Sequence, residues 1–495
     1  MARHSMLRRG LAGPQAMDGE PAGDGGKYVN DPIHGYIELN QDMLQIIDTP
    51  QFQRLRGLKQ MGTSYFVFPG ASHNRFEHCV GTAFLAGEVV QGLAQRQPEL
   101  EISGRDVRCV TLAGLCHDLG HGPFSHLFDN KFIPRARPGT QWSHEMGSEM
   151  MLHHLVDENH IDIGEADLGL IKKLIRGARH DSPAVEEKQF LFDIVANNRN
   201  GVDVDKFDYI QRDCYNVGVK SSYDFSRLML NSHVIDDELC YNNKEAFNLA
   251  EMFHTRYSLH KRVYSHRTSK AIEYMVVDAM LIADPVMDLS GSITDPRRFQ
   301  LLTDDILRDI ERSTEPELEG ARDLLRRIHK RDLYKHVDDF ILPPDLASVV
   351  DRTAINPAEI VGCRAANDDF EERDVLVDFG RIHFGMGTKN PVDCVQFYSK
   401  FKPTEKFAIP SGHISLCVPE KFEERIVCIF TRNPSKRYQV QRAARRLIER
   451  FNGEAVTSTP HQTPPSITPN RGLTLPHSGD EGYVVRKRQR LQFSR

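Results

Sequence analysis

The stretch His117-Asp118-Leu119-Gly120-His121-Gly122-Pro123-Phe124-Ser125-His126 constrains this chain more than any other. The run leading into it is apolar at Val107, Val110, Leu112, Ala113, Leu115 and Cys116, the pattern of a buried helix. That helix is expected to carry His117 and His121 one turn apart on one face, with Asp118 beside them. It should break at Gly122-Pro123, where proline lacks an amide donor. An isolated His-Asp pair would pass for a solvated helix end. At the end of an apolar helix, such groups need a metal or a partner to offset their desolvation.

Two further segments supply that company. Asn74-Arg75-Phe76-Glu77-His78 opens an amphipathic helix, with Asn74 as N-cap and Phe76, Val80 and Phe84 spaced by four. Asp203-Val204-Asp205-Lys206-Phe207-Asp208-Tyr209 opens another, on which Asp205, Tyr209 and Asp213 form a polar stripe. The set His78, His117, Asp118 and Asp205 therefore offers two imidazoles and two carboxylates from three helices. Such a mixed N/O cage suits a divalent metal with open positions for water, and iron, manganese, zinc and magnesium all fit the donor types. Cations accompany the set: Arg75 precedes His78 by three, Lys206 adjoins Asp205, and Arg256 begins a second stripe, Arg256-His260-Tyr264. His121, His126 and His144 add imidazoles for proton transfer, with Asp129 near enough in sequence to orient one.

The rest of the chain frames this centre. Its 495 residues, 40% hydrophobic and 27% charged, can build a sizeable core. The net charge of −6 offers no global basic field for nucleic acid. No apolar run reaches membrane-spanning length and the start carries no apolar leader core, so no membrane association is expected. Nine cysteines without a CxxC argue for a reducing compartment, with Cys79, Cys109 and Cys116 as small core residues. The expected fold is mainly α: a helical core over 27–335 and a smaller α+β C-terminal lobe over 336–453. Buried faces are expected in Ile102 to Asp118, Phe190 to Val195, Asp203 to Tyr215 and Leu249 to Leu281. In the lobe, 374–380 and 395–398 read as strands, and Tyr438 to Phe451 as a helix with Ala444, Leu447, Ile448 and Phe451 inward. Residues 1–26 and the basic tail 454–495 have disorder-like composition.

The H…HD…D order resembles the HD-domain phosphohydrolases, so the helical part reads as an HD-domain core. The likeness narrows at Asp31-Pro32-Ile33-His34-Gly35, Asp48-Thr49-Pro50-Gln51-Phe52-Gln53-Arg54-Leu55-Arg56, Phe68 through His78 and Phe253-His254-Thr255-Arg256. These resemble the SAM-and-HD-domain deoxynucleoside triphosphate triphosphohydrolases, from about Lys27 to about Phe451. With about 26 residues ahead of Lys27, no SAM domain is expected.

The resemblance implies attack of water on the α-phosphorus of a dNTP, releasing deoxynucleoside and intact triphosphate. It implies His126 as proton donor supported by Asp129 and His144, and Arg75, His121, Lys206 and Arg256 on the phosphates. Gln60 and Asp213 would bind the sugar 3′-hydroxyl, while Tyr209 and Tyr264 wall the sugar, Tyr264 crowding the 2′ position. It further implies a homo-tetramer activated by GTP or dGTP together with a dNTP. The matched regulatory positions are Lys27, Asn30, Asp48, Gln53, Arg56, Arg227, Lys244 and His266. Asn242-Asn243 departs from the more basic family pattern, which bears on the second regulatory nucleotide. A nuclear location, with the cytoplasm second, and roles in antiviral defence and innate immunity are part of the same expectation. In the tail, Thr468-Pro469 followed by Arg471 matches what a proline-directed kinase accepts. Two other readings stay open: an HD-type phosphodiesterase or nuclease, and a single-stranded nucleic-acid-binding protein resting on the tail and the Arg442 to Arg450 helix.

Overall fold

Apolar periodicity does most of the building. In the computed structural model, residues 26–177, 188–343 and 350–451 are described. Thr468 and the tail lie outside them. Six helices frame the site: α1 (Arg75–Arg96), α2 (Gly104–Cys116), α3 (His144–Glu158), α4 (Val204–Val217), α5 (Ala246–Leu259) and α6 (Arg267–Met287). α1 and α2 pack on each other through Cys79, Ala83, Ala86 and Val90 against Cys109, Val110, Ala113 and Cys116, all fully buried. Small residues on both faces let the two backbones approach closely. Cys79, Cys109 and Cys116 are free thiols in this core, in keeping with their apolar sequence context. Among the described residues, no helix is long and apolar enough to cross a membrane.

The strands sit around this helical body. β1 (Lys27–Asp31) and β2 (Gly35–Leu39) form an antiparallel hairpin where the sequence pattern reads as helical. β3 (Ser232–Ile235) and β4 (Glu238–Asn242) pair antiparallel, β4 pairs parallel with β7 (Gln396–Ser399), and β7 pairs with β8 (Lys402–Ala408). This sheet joins chain from both the helical part and the C-terminal part. A third sheet orders β5 (Lys335–Leu342), β9 (Glu423–Thr431) and β6 (Val375–His383), all antiparallel. Helix α7 (Arg437–Phe451) covers it, burying Val440, Ala443, Ala444, Leu447 and Ile448 against Val337, Phe340, Val375, Val427 and Ile429. Phe451 packs at the margin of this core. The arginines of α7 are engaged internally: Arg442 with Asp368 and Arg445 with Asp338, while Arg446 donates to Cys363 O. That is the behaviour of a solvated, self-neutralised face rather than of a free basic patch.

Two local departures from the expected pattern matter for the site. α2 stops at Cys116, so His117 is its C-cap and Leu119 to Gly122 form an irregular loop. His117 and His121 are therefore not stacked on one helical face. The reason is packing: a Cβ at Gly120 would lie 2.0 Å from Ser148 N and 2.2 Å from both Gly147 C and His144 O. The chain must leave the helix early to press its backbone onto α3. The second departure divides the expected segment Leu249 to Leu281 with a π-helical turn at His260–Tyr264, between α5 and α6. Single π turns are frequent at functional sites.

Gly120→Ala should push the loop off the first turn of α3, which carries His144. Overpacking of this kind costs about 1–3 kcal/mol. Urea unfolding should show the loss, and an unchanged midpoint would mean that the loop and α3 slide freely.

Candidate active site

Three elements meet in one buried pocket of charge. His78 enters on the first turn of α1, whose N-cap Asn74 donates its backbone amide to Glu77 Oε1 at 2.7 Å. His117 and Asp118 follow the end of α2, and Asp205 enters on the first turn of α4 beneath its cap Asp203. The His78 and His117 Nε2 atoms are 3.2 Å apart, and Asp205 Oδ1 lies 3.1 and 3.5 Å from them. Asp118 Oδ2 is 3.5 Å from His78 Nε2, and its Oδ1 is 3.5 Å from His117 Nε2. The sequence-predicted quartet therefore converges.

The tautomers follow from the neighbours. His78 Nδ1–H donates to Asp208 Oδ1 at 2.7 Å, and His117 Nδ1–H donates to Gly114 O at 2.8 Å. Both rings thus turn Nε2 toward each other and toward a carboxylate oxygen, an arrangement that a cation, whether proton or metal, resolves. The electrostatics agree. Burial works against charging His78, yet its hydrogen bonds to the Asp205 and Asp208 carboxylates outweigh it and push its pKa up to about 10. A field that draws a proton this strongly also favours a divalent cation, so the residues fit a metal centre.

Behind His78 lies a network to which the motifs assign no role. Asp208, fully buried, accepts from His34 Nε2 at 2.7 Å and from Arg212 Nε and Nη2 at 2.8 Å each. Arg212 Nη1 reaches Asp31 Oδ2 at 2.8 Å, tying α4 to the β1–β2 hairpin. A Cβ at Gly81 would fall 2.1 Å from Asp208 Oδ2, so only glycine lets α1 approach this close. The available signals were the spacing of three from Asp205 to Asp208 and the Asp31…His34 motif itself. Burial opposes ionisation of Asp208, but the Arg212 guanidinium holds it well below the usual carboxylate range.

Beside the quartet sits a second group, also as predicted. His121 stacks on His144 with centroids 4.0 Å apart, and His126 meets both rings edge-on at 4.9 and 5.2 Å. Asp129, on a π-helical turn at Phe128–Phe132, accepts from His144 Nδ1 at 2.7 Å and lies 3.8 Å from His126 Nδ1. Burial opposes it, yet bonds from His126 and His144 keep the Asp129 carboxyl well below its usual range. For His144 burial is likewise outweighed, here by Asp129, and the pKa rises. His121 goes the other way: burial first, then Arg75 and His144, push it well below the usual imidazole range, so it is neutral. The His126 side chain is 63% exposed, against 1% for His121, so it is the imidazole presented to a ligand.

The same residues lie inside two recognised family regions. Residues 75–213 match the HD domain and residues 223–395 the HD associated region. The deoxynucleoside triphosphate triphosphohydrolase SAMHD1 of Homo sapiens is 42% identical over 457 residues, covering 83% of this chain and 71% of the relative. The SAMHD1 homolog of Dictyostelium discoideum is 43% identical over 428 residues, covering 86% and 81%. The chain belongs to the SAMHD1 triphosphohydrolase family. A putative HD domain-containing protein of Acanthamoeba polyphaga mimivirus is similar at 31% identity, covering 77% of this chain and 87% of its own.

The other positions matched to the SAMHD1 family gather around the same centre. Arg75 donates to Ser125 Oγ at 2.9 Å, to Asp118 Oδ2 and to Gln60 O. Lys206 Nζ is held by Asp203 at 2.8 Å, and Arg256 Nη1 by His383 O at 2.5 Å. Asp213 accepts from His73 Nε2 at 2.6 Å and from the Tyr264 hydroxyl. Tyr209 shares the α4 face with Asp205 and Asp213. Among the described residues, Gln60 Oε1, His121 Nδ1, Arg256 Nε and Asp129 Oδ1 are buried without a hydrogen-bond partner.

The positions matched to a regulatory site form separate groups in one chain. Lys27 pairs with Asp48 at 3.6 Å, and Gln53 bonds Ile47 O and receives Arg56 Nε, both at 2.8 Å. Asn30 is exposed on β1. Arg227 forks onto Glu245, next to Lys244, and His266 caps α6 with its ring against Phe68.

Replacing Arg212 by Met would leave Asp208 and Asp31 buried without the guanidinium they share, a loss of about 3–5 kcal/mol near neutral pH. Asp208 has a folded pKa below its unfolded value of 3.8, so its contribution is present above that value. It is lost as pH falls through the folded pKa. Denaturation curves of parent and variant should therefore separate at pH 7 and draw together as the pH falls below 3.8 toward the folded value. A gap independent of pH would assign the loss to packing.

Proposed function

We propose that this chain hydrolyses dNTPs to deoxynucleoside and inorganic triphosphate. The observation that carries the reading is the set of partnerless buried atoms on Gln60, His121 and Arg256. Most buried polar groups are paired, so these atoms, beside a metal-fitting centre, favour a polar ligand there. The curated relatives act on deoxynucleoside triphosphates by name, and the side-chain chemistry here suits one. His78, His117, Asp118 and Asp205 would hold a divalent metal (iron, manganese, zinc or magnesium), which when bound supplies an acidified water and a Lewis acid for the phosphoryl oxygen.

The chain's own residues then do the rest. Arg75, Lys206 and Arg256 hold the phosphates as cations, each already aimed by an internal partner, which lowers the ordering cost of binding, and neutral His121 adds a hydrogen-bonding ring nitrogen beside them. The bond from the α-phosphorus to the 5′ oxygen breaks, and His126, exposed and oriented by Asp129, delivers a proton to that oxygen. His144 shares the same carboxylate and keeps Asp129 in place. Gln60 and Asp213 receive the 3′-hydroxyl. Tyr264, its hydroxyl tied to Asp213, presents a fixed ring at C2′, which leaves no room for a ribose hydroxyl.

Regulation follows the same reading. The groups around Lys27 to Arg56 and around Arg227 to His266 each offer cations for a nucleotide, and Asp48 offers an acceptor for a guanine edge. GTP or dGTP with a dNTP, shared between copies of the chain, would drive it to a tetramer by mass action.

Incubating the protein with dGTP and a single-stranded oligonucleotide should consume the nucleotide and yield triphosphate, not pyrophosphate; cleavage of the oligonucleotide instead would move the assignment to a nuclease. Asp205→Ala should abolish turnover and lower bound metal. His126→Ala should retain metal and lose about 10²–10⁴-fold in kcat.

GTP should be a far poorer substrate than dGTP, with Tyr264→Ala narrowing the gap; equal turnover of both by the parent would sink the selectivity argument. Sedimentation should show a mass increase on adding GTP and a dNTP, and a fully active, unchanged monomer would refute activation by assembly.

A further inference from the structure

The loop from Leu119 to His126 is gripped from outside the site by two groups that take no part in the proposed chemistry. Arg54, buried, donates through Nη1 to Leu119 O at 3.2 Å and through Nη2 to His121 O at 2.7 Å. Its Nε donates to Leu302 O at 2.9 Å, and its guanidinium stacks 4.6 Å over the Phe299 ring. Two residues past Leu302, Asp304 takes the other end of the loop. One carboxylate oxygen accepts from Phe124 N at 2.6 Å and the other from Lys59 N at 2.8 Å. Asp304 is itself anchored by its amide on Gly57 O at 3.0 Å. A cation thus holds the loop's carbonyls and an anion its amide, both braced on Leu302 to Asp304.

The backbone they hold is unusual. Phe124 and Ser125 are successive non-glycine residues in the left-handed region, at φ of 60° and 59°. Such residues persist only where the surroundings over-determine them. Ser125 Oγ donates to Lys59 O at 2.7 Å and receives Arg75 Nε, so Lys59 is tied to this turn through both its amide and its carbonyl. Gly62 closes the underside, where a Cβ would meet Phe124 O at 2.7 Å. His126 follows Ser125 directly, and Gln60 follows Lys59. The direction in which His126 leaves the backbone is therefore set at the Asp304 carboxylate.

We infer that Asp304, acting with Arg54, is a positioning residue for proton donation: it locks the left-handed Phe124-Ser125 turn that aims His126 past Asp129. The inference rests on the reading of His126 as donor. Asp304→Asn keeps the shape but offers one acceptor where two amides need one each, so the turn loosens without being emptied.

In the full chain with dGTP, Asp304→Asn should lower kcat by about 10–100-fold, the scale of a misplacement near 1 Å, with KM and metal per chain unchanged. A dGTP analogue with sulfur in place of the bridging 5′ oxygen separates aim from mere stability. Its P–S bond breaks with the electron pair leaving on a thiolate that needs no proton. On this analogue Asp304→Asn and His126→Ala should both come within a few-fold of the parent.

Recovery of His126→Ala without recovery of Asp304→Asn would overturn the inference and leave the donor reading intact. Failure of His126→Ala to recover would overturn the donor reading, and the inference with it. An Asp304→Asn kcat on dGTP within twofold of the parent would also overturn it. Should that variant not fold, Arg54→Lys carries the same comparison, because lysine keeps the charge but cannot fork onto both loop carbonyls.

Discussion

The buried pair of Arg212 with Asp208 is the contact on which the centre depends, because one carboxylate serves three masters. It neutralises Arg212, receives His34 from beside the β1–β2 hairpin, and fixes the tautomer of His78. Burying an ion pair costs more desolvation than its attraction returns unless every lone pair and proton is used. Here nearly all are: both oxygens of Asp208 are bonded, and Arg212 spends its remaining nitrogen on Asp31. The hairpin, α1 and α4 are thereby set relative to one another by charge rather than by apolar contact alone. The two elements that deliver His78 and Asp205 could not drift apart without exposing that charge to a dry interior.

Much of the centre was legible because its residues obey helical spacing. Asp205, Tyr209 and Asp213 fall on one face of α4 as read, and the Asn74 cap places His78 on the first turn of α1. The quartet and the His121, His126, Asp129, His144 group both converge. The hidden features were set by contacts distant in sequence. α2 ends at Cys116 because Gly120 meets α3, a neighbour 24 or more residues away that local periodicity cannot register. The hairpin over Lys27 to Leu39 is short and half-exposed, and so carries little alternation. β4 and β7 pair in parallel across more than 150 residues, and parallel pairing leaves no turn signature to read. Asp208 and Arg212 stand outside the motif, and their use is set by His78 and by the hairpin that they face.

Two π-helical turns explain how side chains a regular helix would spread apart come to share one pocket. The turn at Phe128–Phe132 presents Asp129 to the imidazoles, and that at His260–Tyr264 brings the Tyr264 hydroxyl to Asp213. Each widens the helix by a residue and shifts the register of the residues after it. The spacing-four stripe Arg256-His260-Tyr264 therefore survives as a set of neighbours while ceasing to be a straight row. His260 keeps its ring against Tyr264 at 4.9 Å, and Arg256 turns instead toward the C-terminal strands.

That turn of Arg256 gives β6 a second use. Near the middle of the strand Asp378 receives Lys131, from the same π-helical turn as Asp129, and the Tyr274 hydroxyl at 2.6 Å. At its C-terminal end the carbonyl of His383 receives Arg256. A single extended segment thus runs like a crossbar between the π-helical turn that carries Asp129 and the Arg256 guanidinium. For anyone trimming the molecule, the consequence is practical. A fragment ending near residue 335 would retain every imidazole and carboxylate of the centre yet leave Lys131 and Arg256 without their anchors. The part of the chain that looks most like an appendage is the part that cannot be cut away from the chemistry.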